Sequence, residues 1–171
     1  MNMAETTNHT PLTELVKAAQ QGQQAAFDRM MDQTHLLVRK ISVPLVPPHV
    51  VDDMVQETYL TVLQKLHHLK TPAAFRGWLS RIALNTCYQW RRKQKTTEEL
   101  QEHHSGIAAP KPPDLKSALE ALKQSDRDIL ILRGYIGLTY EELADALHLT
   151  EGTVRSRLFY ARKKLRELLP L

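Results

Sequence analysis

Residues 150–165 read Thr150-Glu151-Gly152-Thr153-Val154-Arg155-Ser156-Arg157-Leu158-Phe159-Tyr160-Ala161-Arg162-Lys163-Lys164-Leu165. These residue types suit contact with a polyanion better than bond-breaking chemistry. Val154, Leu158, Ala161 and Leu165 recur every three or four residues, which gives a helix one apolar side. Arg155, Ser156, Phe159 and Arg162 fall on or beside the opposite side. There an arginine can bridge the two acceptors of a guanine edge, and an aromatic ring can meet a thymine methyl. The Thr150 hydroxyl can cap the free N–H groups at the start of this helix. The run from Leu138 to Leu147 forms a shorter helix before it, so the whole segment has the grammar of a helix-turn-helix. A helical hairpin with solvated arginines is the plainer alternative. The turn, the cap and the basic run Arg162-Lys163-Lys164 favour DNA binding.

Other chemistry-bearing residues are sparse. Asp52 and Asp53, with Gln56 and Glu57, lie within two turns of one predicted helix. Asp53, Gln56 and Glu57 can therefore share a polar face. A paired-carboxylate active site would need a His, Lys or metal cluster beside them, and the sequence offers none. A solvated acidic face, favoured near a helix N-terminus, is the simpler reading. Cys87 is the single cysteine, so it forms neither an intramolecular disulfide nor, alone, a zinc site. That points to a reducing, cytoplasmic home. His103 and His104 have no cysteine or carboxylate at ligand spacing and read as solvated histidines. No metal and no cofactor are expected.

The elements that must hold these residues read as helices throughout. With 171 residues the chain can fold one or two small domains. No stretch approaches the ~20 apolar residues that span a bilayer, so no membrane insertion is expected. The N-terminus lacks a signal-peptide layout. Thr13 to Ile41 carries a helical apolar rhythm broken near Gly22, and Pro44, Pro47 and Pro48 then interrupt it. A further helix runs from about His49 to His67 on Val51, Met54, Val55, Tyr59, Val62, Leu63 and Leu66. Another follows Thr71-Pro72 to about Lys95, with Phe75, Trp78, Leu79, Ile82, Ala83 and Thr86 facing inwards. From Thr96 to Pro113 the pattern stops in a polar, proline-rich segment that reads as a flexible linker. Leu115 to Leu169 then forms a compact helical unit. The fold class is all-α: two small helical domains, 12–95 and 114–171, joined by the linker 96–113.

Charge is distributed unevenly. Lys70 to Thr97 holds seven bases and no acid, and Glu151 to Leu171 holds six bases against two acids. Two basic segments imply two separate contacts with a polyanion. In the first, Asn85, Tyr88 and Trp90 interleave the cations, a mixture suited to single-stranded nucleic acid.

In this order and spacing, three blocks resemble a bacterial RNA polymerase sigma factor of the extracytoplasmic function (ECF) group, in the sigma-70 family. They are Asp52-Asp53-Met54-Val55-Gln56-Glu57-Thr58-Tyr59-Leu60, Phe75-Arg76-Gly77-Trp78-Leu79-Ser80-Arg81-Ile82-Ala83-Leu84-Asn85, and Gly152-Thr153-Val154-Arg155-Ser156-Arg157-Leu158. The resemblance runs from about Leu12 to Leu169. It implies a non-catalytic, dissociable initiation subunit that binds core polymerase and promoter DNA. Asp52, Asp53, Gln56, Glu57 and Leu60 would dock on the clamp of the largest catalytic subunit. The C-terminal domain would sit by the flap region of the second subunit. Lys70, Thr71, Arg76, Arg81, Asn85, Tyr88, Arg91 and Arg92 would engage the melted −10 element, with the position of Asn85 lining a pocket for a flipped base. Thr153, Arg155, Ser156, Arg157, Phe159, Arg162 and Lys163 would read or clamp the duplex −35 element. An anti-sigma protein is the further expected partner. The chain departs from the pattern at Tyr160, where many relatives carry another base, and at Pro44 to Pro48.

Two other function classes compete. A ligand-sensing regulator with a helix-turn-helix would bind duplex operators without polymerase, but it needs no second basic surface like that of Lys70 to Thr97. A nucleic-acid-modifying enzyme would need a metal or nucleophile cluster.

Overall fold

The structure is a computed structural model and describes residues 10–99 and 115–169. Gly22 divides the first helical run at a φ of 84°, a conformation that glycine reaches without steric cost. The result is α1 (Leu12–Gln20) and α2 (Gln24–Ser42). The proline stretch then turns the chain inwards: Leu45 and Val46 are buried in the core. One short 3-10 turn (Pro48–Val50) leads into α3 (Val51–Lys65). Two more such turns, Leu66–His68 and Pro72–Ala74, lead to α4 (Phe75–Glu99).

Buried hydroxyls in this half satisfy themselves locally. Thr34, Ser42, Thr58 and Ser80 each donate to the carbonyl four residues back, as Ser and Thr do inside helices. The Thr34 and Tyr59 hydroxyls also meet at 2.9 Å. Burial raises the Tyr59 phenol to about 12. The expected inward set of α3 is buried except Leu63, which is exposed. The reason is rotational: Val62 takes the inward position on that turn, so Leu63 falls outside the core.

The C-terminal half contains α5 (Leu115–Ala121), α6 (Gln124–Leu130), a π-type turn (Ile131–Tyr135), α7 (Tyr140–Leu147) and α8 (Glu151–Leu168). Arg127 donates to the carbonyls of Leu119, Glu120 and Leu122. Carbonyls at and just past the end of a helix are those its own N–H groups leave over, though Leu119 O also accepts from the Leu122 N–H at 3.2 Å. Lys164 on α8 reaches Asp126 on α6 at 2.6 Å, so one cation of the basic run serves the fold.

Among the described residues no strand occurs, in agreement with the all-α expectation. Helix α4 continues to Glu99, four residues into the stretch read as linker, because no proline or glycine stops it there. The rest of that stretch, with His103 and His104, lies outside the described residues.

The halves also share one continuous core, because α7 packs on α4. Leu79, Ala83 and Cys87 on α4 and Leu143 and Ala146 on α7 are buried in the same cluster.

Candidate nucleic-acid interface

Both helices of the helix-turn-helix begin with a side-chain cap. The Thr139 hydroxyl accepts from the Glu142 N–H at 3.1 Å, and the Glu142 carboxylate accepts from the Thr139 N–H at 2.8 Å. This reciprocal box fixes the start of α7. Helix α7 ends where His148 adopts a left-handed conformation with φ 53°, which reverses the chain before Thr150. The Thr150 hydroxyl then accepts from the Thr153 N–H at 3.3 Å and meets the Thr153 hydroxyl at 2.9 Å.

The caps set the rotation of α8. Val154, Leu158 and Ala161 face the core and are buried. Arg155, Ser156, Arg157, Phe159, Arg162 and Lys163 are exposed on the outer side, while Thr153 is half-buried beside its cap. Phe159 and Tyr160 are 66% and 60% exposed, and their rings meet edge to face at 5.5 Å. The two adjacent rings leave apolar area uncovered on a basic helix. Helix α7 contributes from below: Arg133 and Arg155 each place their guanidinium carbon 4.8 Å from the centre of the Tyr140 ring. Tyr140 was not singled out in the sequence, since contact between a residue of α7 and one of α8 has no local signature.

The acid-free segment presents a second surface. Lys70 and Thr71 are exposed in the turn before α4, and Asn85 and Arg92 are exposed along the helix. Arg81 and Arg91 are half-buried. The turn itself is held from a distance: the Gln20 amide nitrogen donates to Leu66 O at 3.0 Å and to Leu69 O at 2.7 Å. Gln20 lies 49 residues before Leu69, a separation with no local signature that could connect them. Trp78 is half-buried against the core and its ring centre is 5.9 Å from that of Phe75, in keeping with a packing role.

Arg76 and Tyr88 are occupied. Arg76 Nε lies 2.7 Å from Glu142 Oε1 on α7. The pair is coulombic only: the N–H does not point at the oxygen, and the nitrogen is buried without a hydrogen-bond acceptor. The Tyr88 hydroxyl donates to Asp128 on α6. Burial and the neighbouring Asp128 carboxylate raise the Tyr88 phenol, so it remains a donor. Burial also raises the Asp128 carboxyl to about 6, against opposing effects from the Tyr88 hydrogen bond and the Arg127 charge. Between α4 and the helix-turn-helix lies an open cleft of about 390 Å³, lined by Trp78, Arg81, Ala144, Asp145 and His148 among others.

The acidic surface is on α3. Asp52, Asp53, Gln56 and Glu57 are all exposed, and Leu60 beside them is 55% exposed. Asp52 pairs with Arg39 of α2; that partner is thirteen positions away and was not anticipated. Among the described residues no group of three or more metal-ligating side chains converges. The Cys87 thiol is buried 3.6 Å from the Ser42 hydroxyl, and burial raises its pKa. It is therefore poorly placed to act as a thiolate.

Residues 30–97 match the family described as Sigma-70 region 2, and residues 118–167 match Sigma-70, region 4. The ECF RNA polymerase sigma-E factor of Salmonella typhimurium is 32% identical over 172 aligned positions, covering 88% of this chain and 90% of that protein. The ECF RNA polymerase sigma factor SigE of Mycolicibacterium smegmatis is 33% identical over 135 positions, covering 71% of this chain and 52% of that protein. The chain thus spans about half the length of this second relative. Among solved structures, CnrH in complex with the cytosolic domain of CnrY superposes with a TM-score of 0.69 at 27% identity, covering 91% of this chain and 95% of that one. The sigma factor RpoE from Bartonella quintana, solved with the anti-sigma factor NepR, gives a TM-score of 0.63 at 26% identity over 83% and 95%. The ordered pair of sigma regions and a relative aligned over nearly its whole length agree: this chain belongs to the ECF group of the sigma-70 family.

Proposed function

We propose that this protein is a dissociable initiation subunit that joins core RNA polymerase in the bacterial cytoplasm and directs it to promoters. The acidic face of α3, with Leu60, docks on the clamp of the largest catalytic subunit. The segment from Lys70 to Arg92 holds melted −10 DNA, with cations along the phosphates and Asn85 at an unstacked base. The outer side of α8 enters the major groove of the −35 duplex. There Arg155, Ser156 and Phe159 meet base edges, and Arg157, Arg162 and Lys163 meet phosphates. The domain division at 12–95, 96–113 and 114–171 belongs to this reading, with the linker spanning the distance between the two DNA elements. The C-terminal domain meets the flap region of the second subunit.

The observation that carries the reading is the rotational setting of α8. Its buried face is fully used by Val154, Leu158 and Ala161, which leaves cations and an aromatic ring on the solvent side. The protein does no chemistry of its own, and nucleotide addition stays with the polymerase. CnrH and RpoE were solved with protein partners, and an anti-sigma protein is proposed to hold this chain in the same manner.

The test is run-off transcription from fragments of the source genome with core polymerase, with and without this protein. New discrete transcripts that disappear in the Gln56→Ala, Glu57→Ala double variant support the reading. Retardation of a specific duplex by the protein alone, with core polymerase unaffected, overturns it in favour of a stand-alone regulator.

A further inference from the structure

Phe159 and Tyr160 are the two aromatic residues of α8. At about 100° per residue, they fall about 50° to either side of the line through Ser156 and Lys163. That line runs opposite the buried set Val154, Leu158 and Ala161, so the ring pair straddles the part of α8 that projects furthest from the core. Arg162 lies further round beyond Phe159, and Arg157 beyond Tyr160, both exposed. The outer side is therefore apolar along its middle and cationic at both margins. Residues adjacent in a helix do not ordinarily face one another, yet these two rings meet edge to face. Even so, most of each ring stays open to solvent. Apolar residues scattered singly over a surface need no explanation, whereas a contiguous patch rimmed by polar groups marks a contact site.

The profile fits the major groove of a duplex. Its walls are phosphates, which take the marginal cations, and its floor is made of base edges. The apolar feature of that floor is the C5-methyl group of thymine. A phenol ring offers a phosphate no charge, and its area gains only against an apolar group.

We infer that Tyr160 is a specificity-determining residue of the −35 contact: with Phe159 it forms an apolar seat for a thymine methyl, which fixes an A·T pair in the recognised element. The inference rests on the proposed −35 surface and adds to it a residue and a base preference. Tyr160 stands outside the core cluster, so its replacement changes stability little.

The experiment uses the full chain assembled with core polymerase. The probe is a promoter found by the run-off test, supplied as a pool of duplexes with the −35 element randomised. Sequencing of the retained duplexes gives the base preference for the wild type and for Tyr160→Phe, Tyr160→Ala and Tyr160→Arg, with circular dichroism to verify helix content. The wild type and Tyr160→Phe are expected to select the same thymine. Tyr160→Ala loses that preference and keeps the others, and Tyr160→Arg shifts it to guanine, whose edge an arginine can bridge. Deoxyuridine in place of the selected thymine removes the methyl alone. It is expected to weaken wild-type binding by about fourfold, the worth of one buried methyl, and to leave Tyr160→Ala unchanged. Identical preferences in all four proteins overturn the inference, as does a loss in Tyr160→Ala that falls equally on every sequence. Equal wild-type affinity for thymine and deoxyuridine overturns the methyl seat. A run-off test that yields no promoter overturns the inference through the −35 assignment itself, which separates the two failures.

Discussion

The guanidinium carbon of Arg155, on α8, stands 4.8 Å from the centre of the Tyr140 ring, on α7. The ring thus supports an arginine whose assigned partner is a base edge, and the first helix of the motif helps to aim the second. A cation over an exposed aromatic face contributes about 0.5–1 kcal/mol. Glu151 adds only a long contact to the same arginine at 3.5 Å. Tyr140→Leu is expected to weaken binding to the −35 duplex by about twofold to fivefold, with Tyr140→Phe near wild type because the ring is retained. Titrating both variants against a labelled promoter duplex checks this; equal losses in the two would show that the hydroxyl matters and the ring does not.

Gln20 ties the turn before α4 through two carbonyls, at Leu66 and Leu69. Each such bond contributes about 0.5–1.5 kcal/mol net. Gln20→Ala is expected to lower stability in urea by about 1–3 kcal/mol and to slow promoter melting, because the turn carrying Lys70 and Thr71 loses its anchor. Permanganate footprinting of the polymerase complex reads the melting. A stability loss with full melting would place Gln20 in the fold alone.

Asp53, Gln56 and Glu57 are exposed on α3 and, in the described structure, hold no other element. Their alanine variants are expected to change folding stability by no more than about 0.5 kcal/mol, while run-off transcription with core polymerase falls. Asp52 differs, since its pairing with Arg39 gives it a minor structural share. Thermal melts beside transcription assays separate the two, and a large drop in melting temperature for Glu57→Ala would count against a pure docking role.

Asp128 makes stability depend on pH. Its carboxyl rises from 3.8 to about 6 in the folded chain, chiefly through burial. The folded state therefore holds this proton more tightly than the unfolded chain does. The stabilisation from that proton is complete below about pH 4, declines as pH rises to about 6, and is absent above. Asp128→Asn removes this slope and keeps an acceptor for Tyr88. The variant is expected to gain on the order of 1–2 kcal/mol at neutral pH. Urea unfolding of both proteins across that window decides it; parallel curves would mean that Asp128 does not titrate there.

Much of this molecule was legible before any coordinates. The inward positions Val154, Leu158 and Ala161, the break at Gly22 and the Thr150 cap all follow from interactions within a few residues. Local spacing specifies such features, because a helix repeats every 3.6 residues and its orphan N–H groups need a nearby acceptor. The exposed placement of Arg155, Phe159, Asp53, Gln56 and Glu57 follows from the same periodicity.

The relations that cross the chain were not legible. Gln20 with Leu69, Asp52 with Arg39, Lys164 with Asp126, and Tyr88 with Asp128 join residues whose separation carries no periodic signal. Leu63 fitted the apolar rhythm of α3 yet faces solvent, since only packing against α2 and α4 selects between adjacent positions on one turn. By itself, the sequence determined helix identity, the inward and outward faces, and the family, because these rest on short-range geometry and on motifs in order. Tertiary structure alone decided that α7 lies on the backbone of α4 at Gly77, where a Cβ would stand 2.6 Å from the Glu142 carbonyl oxygen. Close approach of two helices depends on the absence of a side chain at one point and on what arrives there from a distant part of the chain.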